Sequence, residues 1–514
     1  MLGSASTRKR HDSAAGVSLF LPLTQATYSP YTPHVSFRPS KLLFALAAAA
    51  ALATTGHKLV ERVVAPSSSA IGYELSELAK GMNVVLVVFD TTPGKSLDLL
   101  DPKSAPVLSR YAKEGVVFTK AYAAAPWTRP AVASILTGYH PKVHGVREFT
   151  SWYNPGVVTL GQMLSLHGYE TVGFVSHWLL SQDTTFKQGF SRLELIDGGT
   201  QSHDIISAPA VAQSAVSFIL DRAPRDSSEH FFLLAHFFDP HFSYLHHPDL
   251  DRSSWYKGPL RDTTPFAEID SSYQTYQENE FSFLRDLHLE EVSFTELHVD
   301  HVFQAIKASP YADNTIVIVV ADHGEEFHEH GAMWHGHSMY DEVIRVPLMI
   351  WAPKKLEPAV VTRWVSAMDI VPTLVDVKET VSSRKFFGES LFSGPSGRPR
   401  WLYAEVGDNS ENPVRNLDAI LQEPLKFIVN RNEKWEGLFN LSADPEERTN
   451  LAAEAPLVAP FRAELDASIR ELAHFLPHNG GSAPLLSSNQ VQELRSLGYL
   501  SEAKVSGDLD PAPQ

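Results

Sequence analysis

Residues 83–91 read NVVLVVFDT, residues 231–241 read FFLLAHFFDPH, and residues 315–326 read TIVIVVADHGEE. Each opens with an apolar run rich in β-branched or aromatic side chains. Runs of this length without polar alternation suit strands buried on both faces. Thr171–Val175 and Pro347–Trp351 have the same character, and helical or loop segments lie between the runs. One such segment, Phe294–Ala308, is amphipathic, with Leu297, Phe303 and Ile306 roughly on one face. The alternation predicts an α/β protein with a mostly parallel central sheet flanked by helices.

In such sheets functional groups gather beyond the carboxyl ends of the strands. The three quoted runs deliver Asp90, Asp239 with His241, and Asp322 with His323 at that same end. A single Asp there is an ordinary cap or turn residue. Three at matching positions, two accompanied by His, point instead to a divalent metal. Carboxylate and imidazole suit Zn, Mn, Mg or Ca better than a soft ion. His328, His330, His335 and His337 follow directly and strengthen the same reading. The His-Glu-x-x-His pattern of zinc proteases is absent. Ahead of these segments, Ala125–Gly138 reads APWTRPAVASILTG, a loop entering a helix with Pro130 in its first turn. Thr128 stands where an N-cap would. It is either that cap or a hydroxyl nucleophile, because a helix N-terminus favours an anion and a metal would activate the oxygen.

The chain has 514 residues, with 43 Lys and Arg against 60 Asp and Glu, a net charge of −17. That balance argues against nucleic acid as a partner, since binding there rests on cationic side chains. With no cysteine, disulfides, thiolate zinc sites and Cys nucleophiles are excluded. Residues 1–80 form a separate tail. Its apolar run Leu42–Ala53, flanked by Arg38 and Lys41, has the length of a secretory core rather than a spanning helix. The expectation is export or membrane anchoring, hence a periplasmic, secreted or membrane-anchored protein with possible membrane contact through this segment. Residues 81–375 are expected to form the catalytic domain and residues 376–514 a smaller α+β subdomain and tail. Residues 245–285, rich in Asp, Ser, Tyr and Glu, read as a solvated surface insertion. Gly480–Pro484 reads as a linker and Ser501–Gln514 as a loose tail.

Taken together, these motifs resemble the sulfatase family of the alkaline-phosphatase superfamily across roughly Met82–Leu500. Thr128 to Gly138 matches the register of the family's Cys/Ser-x-Pro-x-Arg…Thr-Gly signature, and Tyr139–Gly145 continues it. Asp322–Glu326 and the run from Glu329 to Pro347 are similar to the second metal segment. Val365–Thr373, Leu438–Leu451 and Leu494–Leu500 resemble later family signatures. By this resemblance Asp90, Thr128, Asp322 and His323 hold one divalent ion (Ca, Mn, Zn or Mg), with two as the phosphatase-like alternative. That alternative needs Asp239, His241 and His335 to converge. His241 and His335 are expected to join Thr128 in catalysis, with Arg129, His177 and His337 at the substrate and His236 and Asp239 as weaker candidates. The family's nucleophile is a formylglycine made from Cys or Ser. Thr128 cannot supply one, because oxidising Thr gives a ketone, and Val132 replaces the signature Arg. The Gly-Lys-Trp-His sulfate-binding segment has only Ser176-His177-Trp178 as its counterpart. The resemblance with these departures implies a phosphoesterase or phosphonate hydrolase acting through Thr128. A formylglycine-independent sulfuric ester hydrolase, a membrane-associated phospho-group transferase and a non-catalytic relative are the alternatives. The implied substrate is an ester of a small molecule, a glycan or a lipid.

Overall fold

The computed structural model describes residues 73–181, 184–196, 206–222, 229–377, 388–393, 400–407 and 416–472. The Leu42–Ala53 run, Gly480–Pro484, Leu494–Leu500 and Ser501–Gln514 lie outside them. An eight-stranded sheet forms the centre, in the order Ala359–Val361, Val116–Phe118, Leu348–Trp351, Thr315–Ala321, Asn83–Phe89, Phe231–Phe237, Glu170–Val175, Arg192–Leu195. Only Leu348–Trp351 runs against its neighbours. Every residue of Asn83–Phe89, Phe231–Phe237 and Thr315–Ala321 is buried, which is why these runs carry no polar alternation. The three strands end level. Phe89 pairs with both Phe237 and Ala321, so the residues that follow leave the sheet side by side.

The helix Ala208–Asp221 and the 31-residue helix Glu278–Ala308 pack together against this sheet. Val299, Val302, Phe303 and Ile306 of the long helix are fully buried, at the i, i+3, i+4, i+7 spacing of one face. Leu297, assigned to that face from the sequence, is 40% exposed. It lies six residues before Phe303, about a third of a turn out of phase.

The expectation of a solvated loop over residues 245–285 is corrected. Tyr256, Leu260 and Ile269 are buried in a cluster with Phe242, Tyr244, Phe281, Leu284 and Leu287. Two buried acids of the long helix organise this segment. Glu290 accepts the amides of His247, Arg252 and Ser253, and Glu291 accepts that of Leu245. Backbone donors that no regular element pairs are satisfied this way.

Towards the C-terminus, Leu402–Val406, Leu417–Gln422, Leu425–Asn430 and Trp435–Asn440 form an antiparallel sheet. Its side chains alternate. Tyr403, Ile420, Phe427 and Leu438 face the helix Ala455–Leu472 through Val458, Phe461 and Leu465. Leu402, Ala404, Ala419, Leu421 and Ile428 face Tyr122, Trp127, Phe149, Leu179 and Phe238. Fully buried Lys426 adds a polar tie, 2.7 Å from Asp341 Oδ1 and 2.8 Å from Glu447 Oε1. No helix among the described residues is long and apolar enough to cross a membrane.

Glu296 links the long helix to the short helix Leu108–Ala112 by accepting the amides of Val107 and Leu108 through Oε1. Its Oε2 is buried without a hydrogen-bond partner. Burial raises this carboxyl from 4.5 to about 7. The folded state therefore binds the extra proton, and the stabilisation is present below pH 4.5 and is lost as pH rises through 7. Relative to wild type, Glu296→Gln should gain unfolding free energy as pH rises across that window, by about 3 kcal/mol in total. Denaturant titrations of both proteins at several pH values measure it, and a pH-independent difference would refute the assignment.

Candidate active site

Asp90 and Asp322 are the first residues beyond adjacent parallel strands. Their amides continue the ladder, Asp90 donating to Phe237 and Asp322 to Phe89. Both are completely buried. His236, one residue before the end of the third strand, puts Nε2 3.3 Å from Asp90 Oδ2. Thr128 opens the helix Thr128–Thr137, whose cap residue is Trp127, so Thr128 is not the N-cap. Its hydroxyl points at the carboxylates instead, 3.3 Å from His323 Nε2 and 3.5 Å from Asp90 Oδ2. The Thr137-Gly138 pair closes the same helix, with Gly138 at φ 70°, the left-handed conformation glycine adopts without strain.

His323 Nδ1 donates to the Gly324 carbonyl, so the neutral ring carries its lone pair on Nε2, towards Thr128, Asp90 and Asp322. Gly324 permits this turn, because a Cβ there would stand 2.1 Å from the Glu342 carbonyl oxygen. Asp90 is followed by Thr91 at φ 40°, a costly conformation for a β-branched residue. His288 of the long helix holds the Thr91 carbonyl at 2.8 Å, and Thr92 Oγ1 donates to the Asp90 carbonyl.

The electrostatics of the cluster are unbalanced. Burial, and then the nearby Glu325, push Asp90 well above the usual carboxylate range. Burial and Asp90 do the same to Asp322. Burial lowers His236 to about 4 and also holds His323 well below the usual imidazole range. Asp90 Oδ1, Asp322 Oδ2 and both nitrogens of His236 are buried without hydrogen-bond partners. Asp90, His236 and Asp322 offer ligand atoms within 4.8 Å of one another. A divalent cation would satisfy an oxygen of each aspartate and one nitrogen of His236 at once, so the donor set fits the metal expected from the sequence.

The outer candidates sort differently. His335 lies 4.4 Å from His323 and 5.0 Å from His241, measured between ring centroids, so both expected histidines reach the cluster. His241 Nδ1 donates to the Phe242 carbonyl. His177 stacks on Phe238, which stacks on His241, placing His177 behind that histidine. His337 contacts Glu326 at the partly exposed rim. His328 stacks on Phe281 and His330 on Tyr340, away from the aspartates' strand ends. Arg129, expected at the substrate, is instead 2% exposed and donates to the carbonyls of Leu179 and Ser151. Asp239, required for a second metal, is likewise committed elsewhere: its oxygens accept from Ser207 and Ala208 at a helix start. His236 was the underrated residue, and its signal was a lone polar side chain inside an otherwise apolar, doubly buried strand. Glu325, which no spacing singled out, lies 2.9 Å from His335 Nδ1.

The sulfatase profile matches residues 82–379, more than half the chain. The chain belongs to the sulfatase family. A second profile, the C-terminal region of N-sulphoglucosamine sulphohydrolase, matches residues 328–474. Among curated relatives, a Delta 4,5-hexuronate-2-O-sulfatase of Bacteroides thetaiotaomicron is 25% identical over 409 residues, covering 70% of this chain and 82% of that protein. Solved structures with the same fold include one in complex with its substrate D-glucosamine-2-N,6-O-disulfate, with TM-score 0.60, 19% identity, and coverage of 77% of this chain and 98% of that one. Another is the phosphonate monoester hydrolase of Agrobacterium radiobacter, with TM-score 0.59, 19% identity, and coverage of 79% and 100%. This sulfatase-family chain is thus an ester hydrolase with the alkaline-phosphatase-like fold.

Adding Mn, Zn, Mg or Ca to chelator-treated sulfatase-family protein should raise its unfolding free energy. At a hundredfold excess over Kd the gain is about 2.7 kcal/mol. Asp322→Asn should abolish the gain. Thermal unfolding with each ion tests this, and a wild type indifferent to all four would defeat the metal assignment.

Proposed function

We propose that this sulfatase-family protein hydrolyses phosphate mono- or diesters, or phosphonates, with the Thr128 hydroxyl as nucleophile. The observation that carries the reading is the place of Thr128 Oγ1, buried at a helix N-terminus and within 3.5 Å of His323 and Asp90. The hydroxyl leaves the helix end, whose cap residue is Trp127, and points at the carboxylates. Asp90, Asp322, His323 and Thr128, joined by His236, would hold one divalent ion. When bound, such an ion supplies the positive charge that lowers the hydroxyl pKa and offsets charge on the ester.

The Thr128 oxygen then attacks the central atom of the ester in line with the departing alcohol. His241 and His335 face the same cluster and supply hydrogen-bond donors and a proton for the leaving oxygen. Thr128 forms a simple ester intermediate, with no second hydroxyl on the same carbon. Its release therefore requires water to attack the central atom, a route familiar for phosphorus. This favours phosphoryl or phosphonyl over sulfuryl substrates.

A second reading is hydrolysis of sulfuric esters of glycans. The sequence likeness to a 2-O-sulfatase supports it, as does the fold shared with a protein solved with a disulfated glucosamine. In either reading the alcohol is a small molecule or glycan. Export or anchoring through Leu42–Ala53 belongs to the proposal and rests on that segment's composition.

Initial rates on aryl phosphate, aryl phosphodiester and aryl sulfate, with each ion added, test the proposal. Wild type should turn over a phosphoester. Thr128→Ala should lose at least about a thousandfold while retaining most of its metal. Full activity in Thr128→Ala would defeat the nucleophile assignment, and turnover of sulfate alone would favour the second reading.

A further inference from the structure

Four consecutive carbonyls of one short segment hold the loops that build the site. The Glu342 carbonyl accepts the Glu325 amide at 3.0 Å and the Val343 carbonyl accepts that of Gly324 at 2.7 Å, both just after Asp322 and His323. The Ile344 carbonyl accepts the Ala123 amide at 2.8 Å, on the stretch that leads into Thr128. The Arg345 carbonyl accepts the Gly94 amide at 2.8 Å, on the loop after Asp90. Glu342 Oε1 adds a contact to Lys95 Nζ on that loop, at 3.3 Å. Asp341–Arg345 is therefore a common brace for three loops that lie far apart in sequence. Displacing it would change their register with one another.

The C-terminal sheet holds the near end of this brace. The Asp341 amide donates to Glu447 Oε2 at 2.6 Å, and Asp341 Oδ1 lies 2.7 Å from Lys426 Nζ. Lys426 Nζ is also 2.8 Å from Glu447 Oε1, so one ammonium group ties both acids. Lys426 is completely buried, on a face of the sheet that is otherwise apolar. Its cross-strand neighbours are Leu421 and Phe439. Burying an ammonium costs stability, and apolar side chains in place of a buried ion cluster are often as stable or more so. What the cation adds is direction, because it fixes where Asp341 stands.

We propose that Lys426 is a positioning residue for the active site. Through Asp341 and Glu447 it sets Asp341–Arg345, and the carbonyls of that segment keep the loops bearing Asp90, Thr128, Asp322 and His323 in mutual register. The consequence for ion binding and turnover rests on the metal and Thr128 readings. The consequence for the braced amides does not.

Amide exchange in the full chain after chelator treatment tests the proposal, with each variant held the same number of degrees below its own unfolding midpoint. In Lys426→Met, exchange in the peptides containing Gly94, Ala123, Gly324 and Glu325 should quicken about tenfold or more, while the strand Phe231–Phe237 keeps its wild-type rate. Phe461→Ala is the control. It loosens the helix against the opposite face of the same sheet and should leave the braced amides as in wild type. Ion titration should show Lys426→Met binding about ten- to a hundredfold more weakly, with kcat lowered by a similar factor, and Phe461→Ala unchanged in both. Lys426→Met leaves two acids buried without their cation. Should it fail to fold, adding Asp341→Asn and Glu447→Gln removes the buried charge, and the triple variant carries the same measurements. Wild-type exchange at the braced amides, the same quickening in Phe461→Ala, or undiminished ion affinity would overturn the proposal. Quickened exchange in a protein that binds no ion and turns over no ester would support the brace and count against the metal and Thr128 readings alone.

Discussion

Two carboxylates facing one another in a site closed to water are the constraint on which this molecule depends. Asp90 and Asp322 are brought together by strand register, since Phe89 and Ala321 are paired and each Asp is the next residue. Neither side chain is exposed, and each retains an oxygen without a hydrogen-bond partner. Like charges so placed are tolerated only by taking up protons or by sharing a cation. The second solution suits the groups present, since Asp90 and Asp322 with His236 and His323 form a hard, mixed oxygen and nitrogen donor set.

Much of the surrounding architecture keeps that arrangement from relaxing. Thr91 is held in a left-handed conformation immediately after Asp90, and a carbonyl contact from His288 restrains it. The long helix that carries His288 also carries Glu290 and Glu291, which pin the segment leading out of the Asp239–His241 turn. One helix thus supports the loop after Asp90 and the loop bearing His241. The C-terminal sheet contributes as well. It packs its apolar face against Trp127, just before Thr128, and against Phe238, which lies between His177 and His241. Such a site gains its precision from elements far apart in the chain.

The sequence carried the central sheet plainly, because strands buried on both faces must be continuously apolar. It also made the gathering of Asp90, Thr128, Asp322 and His323 legible, because the two aspartates directly follow strands, His323 comes one residue later and Thr128 opens a helix. It understated His236, one imidazole in an apolar run. It misdirected Arg129, whose place beside Thr128 suggested a substrate contact, whereas its guanidinium joins the Ser151 and Leu179 loops. It also misread residues 245–285, whose polar composition conceals aromatic anchors and whose amides are satisfied by Glu290 and Glu291 further along the helix into which the segment runs.

Composition and periodicity determined the fold class, the strand ends and the residue types gathered there, because burial on two faces and the direction of a parallel strand are local properties. Only the tertiary structure decided which histidines join the aspartates, where the Arg129 charge is directed and what holds the His335 ring. Those outcomes depend on hydrogen bonds between residues such as Tyr244 and Glu325, 81 positions apart. No period or spacing along the chain encodes a bond of that kind.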